Sequence, residues 1–209
     1  MMMNGMGELQ LEMPMEDSIY NELIKTNLAD RRIVFNKEVD SSLIEDVVLY
    51  ILKWNQEDKG KSPEARKPIY IYLNTNGGDV VSGMNLISVL ASTKGKTPVY
   101  GVVMACAASM GAYLAMAFHK TYAFSNSVLL LHDGSTGTQG SSRKAKDQMN
   151  FYDELDNRVK KFVLDNTNIT EEFYEEIADR EYYMFADEAK ELGIVDYIIG
   201  EDVDLDEIL

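Results

Sequence analysis

The stretch Val99-Tyr100-Gly101-Val102-Val103-Met104-Ala105-Cys106-Ala107-Ala108-Ser109-Met110-Gly111-Ala112-Tyr113-Leu114-Ala115-Met116-Ala117-Phe118 decides how this chain folds. It carries no charge over twenty residues, the length of a membrane span. Its composition changes along the way: β-branched residues lead, Ala, Gly and Met follow, and the polar Ser109 sits between the two parts. That change reads as a buried strand running into a buried helix rather than as a span. The junction Cys106-Ala107-Ala108-Ser109-Met110-Gly111 then places a serine at a strand-to-helix turn. There a hydroxyl projects into a cleft while nearby backbone N–H groups point at the same spot.

Upstream, the apolar strand pattern at 68–73 runs into Asn74-Thr75-Asn76-Gly77-Gly78-Asp79. Paired glycines let a backbone approach a ligand and present its amides, although Gly-Gly after a strand is also routine turn chemistry. Downstream, residues 128–131 read as a strand that ends at His132. Further out, residues 32–35 read as a strand, and Leu43, Val47, Tyr50, Ile51 and Trp54 recur at helical spacing after Ser41-Ser42. A charged loop at 55–67, a helix at 80–92 and a strand at 99–104 follow. Strand, helix and strand in repeated order predict a mostly parallel α/β core with its sites at strand ends. The glycine-punctuated segment 134–140 leads into a long helix at 141–166. Its Ala145, Met149, Tyr152, Leu155, Val159 and Phe162 form an apolar stripe too long for a small core to cover. An acidic helix at 171–179 and an acidic run at 201–207, read as a solvated tail rather than a metal site, complete the chain.

A length of 209 residues fits one domain with a real core. With 35 acidic against 20 basic residues and a net charge of −15, the chain lacks the basic surface that nucleic acid requires. The single cysteine, Cys106, excludes an internal disulfide and a multi-cysteine zinc site. It reads as a buried small hydrophobe, and a reducing cytosol is the simplest setting. The start Met1-Met2-Met3-Asn4-Gly5-Met6-Gly7-Glu8 lacks the cationic and apolar parts of a secretory signal. Asn168-Ile169-Thr170 therefore reads as a turn, not a glycosylation site.

Two histidines are candidates for a base. His119 lies ten residues beyond Ser109 on what reads as one helix, about 15 Å along its axis and out of hydrogen-bond reach. His132 comes back on a strand and can lie beside the helix start. The chemistry this predicts is acyl transfer, with Ser109 as nucleophile and His132 as base.

Taken in this order, Gly77-Gly78, Ala108-Ser109-Met110-Gly111, His132 and Glu188-Ala189 with Leu192-Gly193-Ile194-Val195-Asp196 resemble the Clp protease proteolytic subunit family, ClpP. The resemblance runs from about residue 19 to 199. It implies a ClpP/crotonase-like α/β fold of repeated ββα units with a mostly parallel sheet. A protruding handle of strand and long helix is expected at about 134–166. The chain then divides into a divergent segment 1–18, a protease domain 19–200 and an acidic tail 201–209.

The resemblance also implies an oxyanion hole from the Gly78 and Met110 amides, with Gly77 in support. Gap-free matching of the terminal motif puts Glu181 where the family has its catalytic aspartate, with Asp179 as rival. Arg180 matches an arginine that pairs across the contact between two stacked heptameric rings. No cofactor is implied, since ATP is used only by a partner AAA+ unfoldase; the substrates are polypeptides, and no membrane or nucleic acid is involved.

Several residues depart from the family pattern. Asn76 replaces a proline before the glycines, and His132-Asp133-Gly134 replaces His-Gln-Pro. The Ser-to-His segment is two residues shorter near 118–121, and the N-terminal segment is too short for the usual axial hairpin. Three readings follow: a self-compartmentalising serine endopeptidase, a catalytically silent ring subunit or scaffold, and a crotonase-type acyl-CoA enzyme.

Overall fold

Apolar residues that alternate along a strand bury one face, and the strand Ile69–Thr75 shows how the sheet is laid down. Its Ile69, Ile71, Leu73 and Thr75 are buried while Tyr70, Tyr72 and Asn74 between them are half-buried. The computed structural model describes residues 19–134, 137 and 140–208. Its strands are β1 (Arg32–Asn36), β2 (Ile69–Thr75), β3 (Val99–Ala108), β4 (Lys120–Phe124), β5 (Val128–Leu131), β6 (Tyr182–Phe185) and β7 (Tyr197–Ile199). The α-helices are α1 (Ile19–Ala29), α2 (Leu49–Glu57), α3 (Val80–Thr93), α4 (Met110–Ala117), α5 (Ser142–Asn166), α6 (Glu171–Ala178) and α7 (Ala186–Glu191). A π-helical turn, Ile44–Val48, leads into α2.

The sheet runs β1-β2-β3-β4-β7 with every pair on that path parallel, and β5 joins β3 in parallel before pairing antiparallel with β6. This is the mostly parallel α/β architecture the sequence predicts. One face is covered by α2, α3 and α4, whose Ile51, Trp54, Leu86, Leu90 and Leu114 join the main core. Helix α4 is buried on all sides, as a helix with no polar face must be.

β3 is four residues longer than the strand expected at 99–104, because it changes partners. Tyr100–Val103 pair with β4, whereas Cys106–Ala108 pair with β5. Helix α4 stops at Ala117, so His119 does not lie on the Ser109 helix as expected. Phe118 turns extended, and the His119 N–H donates to Val99 O at 2.9 Å. The ring is fully used: Nδ1 accepts from the Val99 N–H at 3.0 Å, which leaves Nε2–H to donate to Leu90 O at 3.0 Å. His119 is a strut at the N-terminal ends of the strands, away from Ser109.

The acidic run at 201–207 is not a free tail. Val203 bridges to Ile199, Asp204 and Glu207 form a capping box on the 3-10 turn Leu205–Glu207, and Ile208 is buried beside Val102, Tyr122 and Ile199. The apolar Ile208 docks the run against the outer face, where Tyr70, Tyr100, Tyr122 and Tyr197 pack ring to ring. Arg31 holds a left-handed φ of 62° and sends its guanidinium onto the buried Asp58 at 2.6 and 3.0 Å.

Helix α5 packs only its C-terminal half. Val159 and Val163 are buried, while Met149 and Phe151 stand 45% and 53% exposed. The expected stripe is thus left partly uncovered by its own chain. Part of the expected handle strand, and the whole divergent segment 1–18, lie outside the described residues. Among the described residues no helix is long and apolar enough to cross a membrane.

Candidate active site

Ser109 sits between the end of β3 and the start of α4 with φ 53° and ψ −123°. A left-handed φ is costly away from glycine and persists only where the surroundings over-determine it. The Ser109 N–H donates to Leu130 O on β5 at 2.9 Å, and its carbonyl accepts from the Ala112 N–H at 2.9 Å. The partner change of β3 therefore holds the elbow: β5 grips the backbone on one side and α4 on the other. The side chain caps no helix hydrogen bond and lines a cavity of about 320 Å³.

Gly77 and Gly78 hold φ of 95° and 142°, and Gly77 lies directly against this elbow while Gly78 lies against Val39. A Cβ on Gly77 would stand 2.6 Å from Ala108 O, 2.7 Å from Ser109 Cβ and 2.9 Å from Met110 N. One on Gly78 would stand 2.3 Å from Val39 O, so neither position admits a side chain. Val39 bridges in parallel to Gly78 through Val39 N–H to Gly77 O and Asp79 N–H to Val39 O, both 2.8 Å. Both bridge bonds use the N–H and carbonyl of Val39, so the Gly78 N–H takes no part in the pair and points away from Val39. The Gly78 amide thus faces the side where β3 ends. Met110 opens α4, so its amide has no acceptor within the helix.

His132 follows β5 and lines the same cavity as Ser109. Its carbonyl accepts from the Tyr113 hydroxyl at 3.4 Å. Among the described residues no hydrogen bond joins Ser109 to His132, nor His132 to Glu181. Before substrate binds, such contacts are often open. β6 pairs with β5 in the register Leu131↔Tyr182. The ladder ends there, and His132 and Glu181 are the next residues along the two strands. The exposed Glu181 carboxylate accepts from the Tyr183 hydroxyl at 3.1 Å, which raises the pKa of that phenol. Asp179 instead caps the C-terminus of α6, and Arg180, just beyond that helix, is exposed with its guanidinium 4.0 Å from Glu176.

The cavity wall is acidic. Asp133 and Asp156 line it together with Tyr113, Tyr174, Lys160 and Glu175. Burial pushes the Asp133 carboxyl up, the charges of Asp156 and Asp179 push it further, and His132 opposes them. Asp156 is raised by burial and then by Asp153. Lys160 is held by Glu175 at 2.5 Å and Glu171 at 2.9 Å, and those bonds raise its ammonium pKa. Apart from Asp133, these wall residues escape a reading of the sequence. Tyr113 stands one helical turn past Ser109, the one signal that points to it. Among the described residues no group of three or more His, Cys, Asp and Glu side chains could hold a metal ion.

A serine with left-handed φ, a glycine pair whose first member packs on it, and a histidine on the same cavity form a layout suited to acyl transfer. The family model for Clp protease matches residues 15–202, and the chain belongs to that family, whose members are peptidases.

Proposed function

We propose that this chain is the proteolytic subunit of a self-compartmentalising serine endopeptidase that cleaves unfolded polypeptides. The observation that carries the reading is the Ser109 elbow, with Gly77 so close that a Cβ there would overlap it and His132 opening on the same cavity. Ser109 Oγ attacks the carbonyl carbon of the scissile bond and its proton passes to His132. The developing oxyanion meets the Gly78 and Met110 amides, each such donor being worth about 10²–10³ in rate. The C–N bond then breaks and His132 returns the proton to the leaving amine. Water attacks the acyl-serine with His132 again as base, releasing the carboxylic acid and restoring Ser109. Glu181 orients His132, a role its register position supports.

The subunits stack as two heptameric rings through α5, whose exposed Met149 and Phe151 need a cover, and Arg180 pairs across that contact. An AAA+ unfoldase in the cytoplasm spends the ATP and feeds the chamber; the subunit itself needs no cofactor. A second reading, a silent ring subunit, draws on the Glu181 carboxylate being engaged by Tyr183. Intact-mass detection of a fluorophosphonate adduct decides between them. An adduct absent in Ser109→Ala and weakened in His132→Ala supports the endopeptidase, whereas an assembled protein that takes none selects the silent subunit.

A further inference from the structure

The cavity lined by both Ser109 and His132 lies next to the serine that the peptidase reading makes reactive, and on that reading it receives the side chain of the residue whose carbonyl Ser109 attacks. Its 320 Å³ lie at the small end of ligand pockets, roughly 300–1,000 Å³, and suit one long side chain. Three features of its wall bear on which side chain that is.

Tyr113 is only 8% exposed, and its hydroxyl reaches the His132 carbonyl at 3.4 Å, longer than an ordinary O–H···O bond. No donor among the described residues reaches that oxygen, although a phenol has lone pairs to offer. Asp133 and Asp156 line the cavity mouth, and neither forms an ion pair among the described residues. The one cation in the wall, Lys160, is bound to Glu171 and Glu175. The cavity therefore presents unmatched acceptors and negative charge. An apolar side chain seated there would desolvate two carboxylates without pairing them, at a cost. A cation carried on a flexible stem matches these acceptors while its apolar part meets Val80 and Val159.

We infer that the cavity selects lysine or arginine as the residue whose carbonyl Ser109 attacks, its cationic end received by Asp133, Asp156 and the Tyr113 hydroxyl. This selectivity rests on the peptidase reading above. The guanidinium or ammonium donates where the wall only accepts, and the stem packs along Val80 and Val159.

The test uses the full chain in its assembled form with peptides that differ only at that residue: Lys, Arg, Leu and acetyl-lysine. Labelling of Ser109 by a fluorophosphonate is read in parallel. Lys and Arg peptides are expected to exceed Leu in kcat/KM by at least about tenfold, as a close charge pair allows. Acetyl-lysine, which keeps the stem and removes the charge, should fall to the level of Leu without any mutation. Asp156→Asn should cut the Lys-to-Leu ratio about tenfold. Ser109 labelled while Leu or acetyl-lysine is cleaved as well as Lys would overturn the selectivity and leave the peptidase standing. No labelling of Ser109 would remove both.

Discussion

Replacing Gly77 with alanine isolates the contact that shapes the Ser109 elbow. The new Cβ would sit 2.6 Å from Ala108 O and 2.7 Å from Ser109 Cβ, with the backbone at φ 95°. Gly60 supplies the control, since it has a similar φ of 87° but nothing within 4 Å of its Cβ position. Both substitutions bear the left-handed backbone cost of about 1–2 kcal/mol. Only Gly77→Ala adds overpacking of about 1–3 kcal/mol. For a chain of this length each kcal/mol is about 2–4 °C, so Gly60→Ala should lower Tm by about 2–8 °C and Gly77→Ala by about 4–20 °C. Against typical stabilities of about 5–15 kcal/mol, Gly60→Ala stays folded, and the labelling of Gly77→Ala is read well below its own Tm. The clash must be relieved by moving Gly77 or the elbow, and a misplacement near 1 Å costs about 10² in reactivity. The assay is Tm together with the rate of fluorophosphonate labelling at Ser109. Gly77→Ala is expected to label about 10²-fold more slowly than wild type and Gly60→Ala at the wild-type rate. Equal melting losses and equal labelling rates in the two variants would refute the contact argument.

Glu181→Gln should lower peptide turnover by up to about 10⁴, because a histidine loses its correct tautomer when its carboxylate becomes an amide. Asp179→Asn is the paired measurement, and a larger loss there would hand the orienting role to Asp179. Hydrogen bonds from Arg31 first, and from Lys61 and Thr97, hold the Asp58 carboxyl well below the usual carboxylate range. A folded-state pKa that is depressed contributes stability that is complete above the unfolded value, about 3.9, and lost as pH falls below it. Urea midpoints should therefore fall on acidification below about pH 5, and Asp58→Asn should flatten that slope while lowering the plateau. An unchanged slope in the variant would show that other carboxylates govern it.

Much of the fold was legible because its elements carry strong local periods. The stripe on the long helix predicted 141–166 against an observed Ser142–Asn166, and short apolar runs predicted β2 and β5. The misses share a physical origin in long-range partners. Cys106–Ala108 are strand because β5 lies beside them, though Ala-rich composition alone favours a helix. The acidity of 201–207 suggested a solvated tail, while one apolar residue, Ile208, suffices to dock it on the sheet.

At the site, Ser109, the glycines and His132 were legible because each stands at a strand end, where a parallel sheet gathers its functional groups. The acidic wall was not, and the reason lies in α5. Asp156 and Lys160 stand one turn apart on a helix rich in alternating charge, a pattern that ordinarily marks a solvated face. Only the turn of α5 that buries Val159 brings those two residues down to the mouth of the cavity. Charge on that turn is thus placed by packing between elements distant in the chain. The serine elbow follows from local backbone demands, whereas the charge around it depends on which helix edge the fold lays over the opening.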